Sequence, residues 1–383
     1  MTILRNNIKL PEDFITPCYI YNLSLLNNTL DSVIKESSKY DFKVHFAIKS
    51  NANKVILKNI SKKGLGADCV SGNEIIRALE CGFTNDSIVY AGVGKSDKEI
   101  KIALENNISC FNCESMQEIE VINDFAAKTH KIANIAIRVN PNVDAHTHAY
   151  ITTGLEENKF GIYLKDLDKI INRTQKLQNI AIKGLHFHIG SQITDMNVFK
   201  NLCLKVNAII SEFEAQNTHF ENINFGGGLG IEYDKPYTES VAKFANYFST
   251  FATYFKKRYN QQIHFELGRA ISAHCGDLLS KVLFIKKSGN KEFAILDAGM
   301  SDLLRPALYG AYHYIENISS NKEKNKYDVV GPICESSDIF GKDVNLNKTQ
   351  RGDYILIHSC GAYGEVMASK YNLRDLPQIY YTE

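Results

Sequence analysis

Apolar and polar positions along this chain change period repeatedly, and in a regular order. After TPCYIYN, the residues Leu23, Leu26, Leu30, Val33 and Ile34 recur at helical spacing. Short apolar runs then alternate with helical patterns. KVHFAIK from 43, LGADCV from 65, SIVYA from 87, ISCFNC from 108, IANIAIRVN from 132, IKGLHFHIG from 182, NINFGGG from 222 and QIHFELG from 262 predict eight strands. Between them NEIIRALECGF, DKEIKIALENN, SMQEIEVINDFAAK and NVFKNLCLKVNAIISEFEAQN predict helices. Eight strands with helices between them, over the roughly 250 residues such a fold takes, predict an α/β chain with a (β/α)₈ TIM-type barrel. Past ELGRA the pattern becomes one of closely spaced strand-like runs: DLLSKVLFIKKSG, KEFAILDAG, KYDVVGPIC and RGDYILIHSCGAY. These predict a second, mostly β domain, sandwich- or barrel-like, that shares the N-terminal PCYIYN strand. The expected division is 23–266 for the barrel, with 1–22 and 267–383 for the β domain.

Composition narrows the function classes. The chain has 383 residues, 44% hydrophobic and 23% charged, and 44 basic against 43 acidic side chains leave a formal charge of +1. That balance implies no nucleic-acid partner. MTILRNNIKLPEDF lacks the apolar core of a secretory signal and no run is long enough to span a bilayer, so no membrane partner and a cytoplasmic location are expected. Nine cysteines scattered from Cys18 to Cys360 read as buried thiols rather than a disulfide framework. Cys110 and Cys113 form a lone CxxC without a second pair, and no metal is expected there.

Candidate chemistry sits where the predicted strands end, the end of such a barrel that carries its active site. Lys49 ends the first strand, Asp68 the second, Arg138 with Asn140 the fifth, His188 the sixth, Gly226 to Gly228 the seventh and Glu266 the eighth. Each alone has a plain reading: a solvated lysine, a helix-capping aspartate, a core histidine. Their coincidence on one rim points to a site. A lysine amine forms a carbon–nitrogen double bond with an aldehyde. Pyridoxal 5′-phosphate is an aldehyde that needs the other groups too: donors for its phosphate, a flat partner for its ring and an acid for its pyridine nitrogen. FGGGLG lets backbone N–H groups approach a phosphate, because glycine has no Cβ. A metal-dependent hydrolase is the rival reading, since His186 with His188 and His146 with His148 have HxH spacing that puts two imidazoles on one strand face.

FAIKSN, GADCVSGNE, GLHFHIGSQI, FGGGLG, ELGR, RPALYGAYH, GPICESSD and GAYGEVMASKYN resemble, in order, the motifs of the fold-III pyridoxal-phosphate decarboxylases. The stretch from 138 to 162, RVNPNVDAHTHAYITTGLEENKFGI, resembles the diaminopimelate decarboxylase branch. The resemblance implies decarboxylation of meso-diaminopimelate to L-lysine by a homodimer with shared active sites. It gives Lys49 the bond to the cofactor and His188 the stacking face. Glu266 would pair with the pyridine nitrogen. Asp68, Ser191, Gly227, Gly228, Gly268 and Arg269 would complete the cofactor site, with Tyr363 beside it. For an amino-acid substrate, the resemblance implies that Arg269, Arg305 and Tyr309 grip the distal carboxylate and Glu335 the amine, near Tyr363. Cys334 matches the proton-donating cysteine that comes from the other subunit. The usual EPGR is ELGR here, which restores a backbone N–H and keeps both charged residues. Sister decarboxylases acting on ornithine, arginine or a carboxylated polyamine differ at the distal end: a distal carboxylate needs the cation of Arg305, whereas a distal amine or guanidinium would be repelled by it.

Overall fold

Strand Phe42–Ala47 pairs in parallel with Gly66–Cys69, and the series continues through Ile88–Tyr90, Cys110–Cys113, Ala133–Asn140, Ile180–His186, Asn222–Asn224 and Gln262–Leu267. Gln262–Leu267 then pairs with Phe42–Ala47, closing eight parallel strands into a barrel. The computed structural model describes residues 2–3, 9–143 and 159–383. The HTH pair, His146 and His148, lies outside the described residues, as does most of the family-like stretch from 138 to 162.

The chain packs as two compact units. One comprises residues 30–230 and 243–268; the other comprises 1–29, 231–242 and 269–383. Residues 23–29 and 231–242, which fall inside the 23–266 range read from the sequence, thus pack with the second unit.

Local chemistry explains where the barrel helices begin. Helices Gly72–Glu80, Asp97–Glu105 and Met116–Lys128 each follow a serine and carry glutamate three positions after it: Ser71 with Glu74, Ser96 with Glu99, Ser115 with Glu118. Ser71 and Ser115 accept the N–H of Glu74 and Glu118, whereas Ser96 donates its N–H and its hydroxyl to Glu99, so each glutamate reaches back across the first turn. Glu74 accepts from the N–H of Val70 and Glu118 from that of Glu114, both at 2.7 Å.

Strand alternation then sorts the side chains. Ile263, Phe265 and Leu267 are buried against the helical layer, where Phe265 meets Phe42, Phe225, Tyr247, Phe248 and Phe251. The alternate positions face the barrel interior, where the usual filling is branched apolar. Here much of it is polar: His45, Asp68, Asn112, Arg138, His186, Asn224 and Glu266 are all buried, beside a small apolar cluster of Val89, Cys110 and Ala136. Backbone closeness compensates elsewhere, since a Cβ on Gly184 would lie 1.8 Å from the carbonyl oxygen of Asn222.

The second unit is mostly β. The long strand Gly276–Ser288 changes register between Val282 and Phe284. Its first half pairs with Tyr354–Ile357 and with the N-terminal Cys18–Asn22; its second half pairs with Lys291–Leu296, which leads on to Lys324–Val330 and Ile339–Asn347. Gln378–Thr382 lies parallel to Cys18–Asn22, bringing the last strand beside an early one. No helix among the described residues is long and apolar enough to cross a membrane.

Candidate active site

The strand Phe42–Ala47 runs straight into a short 3₁₀ turn, Ile48–Ser50, which carries Lys49. Its Nζ donates to Asp68 Oδ2 at 3.2 Å. Asp68 has no exposed surface, and its Oδ1 is buried without a hydrogen-bond partner among the described residues. Burial and the nearby Glu266 push the Asp68 carboxyl up to about 6, against the pull of Lys49. The lysine at the barrel mouth therefore faces a buried acid that still has an acceptor to use.

Glu266 lies within the last barrel strand. Asn112 and Asn224 each donate to its Oε1, at 2.9 and 2.7 Å, and His186 Nε2 lies 2.8 Å from Oε2. Asn112 comes from the fourth strand and Glu266 from the eighth, so this contact crosses the barrel interior. Burial raises the Glu266 pKa, but the hydrogen bond to His186 and the nearby Lys49 charge outweigh it and hold the carboxyl well below its ordinary value.

The glycine turn after the seventh strand is packed too closely for side chains. A Cβ on Gly226 would lie 2.3 Å from the carbonyl oxygen of Phe187, and one on Gly227 would lie 2.0 Å from that of Glu266. Gly226 and Gly228 also hold φ of +66° and +110°, where glycine is favoured. The loops after the sixth and seventh strands are braced together: Ile193 N–H donates to Gly228 and Gly230 N–H donates to Ile193, both at 2.9 Å. This bracing holds the Ser191 loop alongside Gly228. The Gly227 N–H donates to His188 Nδ1 at 3.2 Å, fixing the imidazole over the turn. Burial, with the charges of Arg138 and Lys49, drives His188 well below its ordinary pKa, so it presents a neutral ring. Gly268 sits against Ser50, at the foot of the Lys49 turn.

These groups fit a pyridoxal phosphate: an amine beside a buried acid, a held carboxylate, a flat neutral ring and a glycine cradle. Residues 26–273 match the family model for the pyridoxal binding domain of pyridoxal-dependent decarboxylases. The chain is 55% identical over 366 residues to the diaminopimelate decarboxylase of Bacteroides thetaiotaomicron, covering 95% of each chain. The chain belongs to the diaminopimelate decarboxylase family. It is also 39% identical to the Aquifex aeolicus member, with 96% of this chain and 86% of that one covered. Among solved structures, diaminopimelate decarboxylase from Helicobacter pylori complexed with L-lysine matches with a TM-score of 0.91 at 39% identity, covering 97% of this chain and 93% of that one.

The remaining residues that the diaminopimelate decarboxylase motifs single out belong to the second unit. Arg269 Nη1 donates to Tyr233 at 2.7 Å, and its guanidinium lies 4.9 Å from the centre of the Tyr363 ring. Tyr363 holds a φ of +58°, a strained value for a bulky residue. Arg305 starts the short helix Arg305–Tyr309, bonds His313 at 2.7 Å and lies over Tyr233 at 5.0 Å. Among the described residues Arg305 is buried and meets no carboxylate, and burial pulls its pKa down. Tyr309 ends the same helix, half-buried. Cys334 and Glu335 are exposed on a loop whose base is pinned by Asp338, which accepts from the N–H groups of Met300 and Ile333 at 2.6 and 2.7 Å. Cys334 is the one exposed cysteine of nine; the other eight are buried.

Sequence reading assigned no role to Asn112, Asn224, Glu114 or Tyr233, and read His186 only as half of a metal pair. In the structure the two imidazoles of HFH serve different partners, Glu266 and the Gly227 N–H. No group of three or more metal-binding side chains converges among the described residues. Arg138 bonds Glu114 at 2.6 Å and lies 4.7 Å from the centre of the Phe160 ring, while Glu114 also accepts from the Gly161 N–H. The period-two face shared by His186 and His188 was the only signal for the former.

Proposed function

We propose that this protein removes carbon dioxide from meso-2,6-diaminopimelate to give L-lysine, the last step of lysine biosynthesis, with pyridoxal 5′-phosphate as cofactor. The observation that carries the reading is the barrel mouth itself, where Lys49 lies against a buried acid and Glu266 is held by three donors. Bound pyridoxal phosphate supplies an aldehyde that condenses with amines and a ring that takes up the electrons left when carbon dioxide departs.

Lys49 would provide the amine that holds the cofactor, and its Nζ can take up and give back protons. Asp68 would hold that amine in place through the 3.2 Å contact of its Oδ2 with Nζ. His188 would pack on the ring face, and Ser191, Gly227, Gly228, Gly268 and Arg269 are the residues that would hold the phosphate. Glu266 would accept a hydrogen bond from the protonated ring nitrogen. For the substrate, Arg269, Arg305 and Tyr309 bind the distal carboxylate and Glu335 the distal amine, with Tyr363 alongside. Arg305 supports this choice: a buried guanidinium without a carboxylate of its own favours an anionic ligand. The Cys334 thiol returns a proton to the carbon that has lost carbon dioxide. Its exposure fits a residue that completes the site of a second copy, so the working form is a homodimer with shared sites. Nine free cysteines fit a reducing, cytoplasmic setting.

Purified protein supplied with pyridoxal phosphate is to be incubated separately with meso-diaminopimelate, L-ornithine, L-arginine and carboxynorspermidine, following carbon dioxide and amine products. Lysine from diaminopimelate alone is the expected result. Carbon dioxide from another substrate instead would keep the cofactor chemistry and overturn the role of Arg305.

A further inference from the structure

Glu266 is gripped from three other strands, and the grip is unequal between its two oxygens. A carboxylate offers about four lone-pair positions, two on each oxygen. Asn112 and Asn224 fill both on Oε1, whereas His186 takes one on Oε2 and leaves the other open. All four side chains are buried, with 1% to 5% of their surface exposed. The carboxylate cannot rotate without breaking at least one of these bonds.

The His186 ring is constrained from its other side as well. Its Nδ1 is buried and has no hydrogen-bond partner among the described residues. A proton there would be a buried donor with nothing to bond, a costly arrangement. The single ring proton therefore belongs on Nε2, where it meets Glu266. Three uncharged donors then stabilise the carboxylate without cancelling its charge. A cation at position 186 would do the opposite: it would neutralise Glu266 and remove the reason for a facing ring nitrogen to hold a proton.

We propose that His186 is a positioning residue which, with Asn112 and Asn224, keeps Glu266 a full carboxylate and leaves Oε2 as the oxygen that accepts the protonated ring nitrogen of the cofactor. The proposal rests on the pyridoxal-dependent decarboxylase reading. It assigns to this chain's own polar barrel interior the task of making the ring an electron sink.

The test uses holoenzyme loaded with pyridoxal phosphate carrying ¹⁵N in its ring, in the wild type, H186Q, H186L and H186M. The ring ¹⁵N chemical shift reports protonation of that nitrogen without any turnover. A protonated shift is expected in the wild type and in H186Q, whose amide keeps an N–H donor. In H186L and in H186M, which lack a donor, the shift is expected to move toward that of an unprotonated pyridine. The turnover rate on meso-diaminopimelate should then fall roughly ten- to hundredfold with little change in KM. Should H186L fail to fold, H186M carries the same expectation with an unbranched side chain. A protonated shift retained in a folded, cofactor-loaded variant without a donor overturns the proposal, as does an unprotonated ring in the wild type. A wild type that shows the protonated shift and its dependence on His186, yet leaves diaminopimelate untouched, sinks the substrate assignment alone.

Discussion

Lys49 shows how little a residue's type says without its neighbours. On a surface it would be a solvated cation; here its Nζ lies 3.2 Å from an acid with no exposed surface. Burial, with the nearby Glu266, raises the Asp68 pKa to about 6, above the ordinary carboxylate range, and the Lys49 amine limits the rise. Lys49→Ala is expected to abolish turnover and the visible absorbance of lysine-bound cofactor, read by spectrophotometry of the reconstituted protein. Persistence of either would take Lys49 out of the mechanism. Lys49, Asp68, His188 and Glu266 were legible in the sequence because each interrupts an apolar run at a predicted strand end. His186, Asn112 and Asn224 were not, because each matters through a side chain it meets across the barrel, and no local pattern encodes that pairing.

At the scale of elements, the strand Tyr354–Ile357 delivers His358 between two acids. His358 lies 3.3 Å from Asp277 and 3.0 Å from Glu316, with Tyr237 also within hydrogen-bonding reach of its Nε2. Burial alone would lower its pKa, but Asp277 and Glu316 outweigh burial and raise it to about 10. A group whose pKa is raised on folding stabilises the fold fully below its unfolded value and loses that contribution as pH rises through the folded one. The window here runs from about 6.5 to about 10. Urea unfolding of wild type and His358→Gln across that range should show a stability gap that is widest near the lower limit and closes toward the upper. A gap independent of pH would contradict the paired-cation assignment. Element starts follow local rules more openly: Ser71, Ser96 and Ser115 with their glutamates set three helix starts.

For the whole molecule, the candidate residues divide between two units: the barrel unit carries Lys49, Asp68, His188 and Glu266, and the other carries Arg269, Arg305, Cys334 and Tyr363. If each copy's Cys334 completes the site of its partner, two inactive variants can repair each other. Lys49→Ala and Cys334→Ala, mixed after dissociation and reassociation, should recover about a quarter of wild-type sites, since half the dimers are mixed and each of those keeps one intact site. Activity no higher than the average of the two separate variants would place both groups in one chain. The N-terminal strand Cys18–Asn22 pairs with Gly276–Ser288 and Gln378–Thr382, a connection between sequence-distant segments that makes the second unit depend on both ends of the described chain.

The sequence by itself determined the barrel, through eight apolar runs separated by helical periods, and the cofactor class, through polar residues that close those runs. Periodicity is local, and so it can be read locally. Only the tertiary structure decided that residues 231–242 leave the barrel unit, that HFH divides between Glu266 and a glycine turn, and that two asparagines and a histidine clamp the carboxylate. Those outcomes depend on which inward side chains face each other once the strands tilt and close. That is a property of the shared interior, where a buried polar group must find its partner on whichever strand lies opposite.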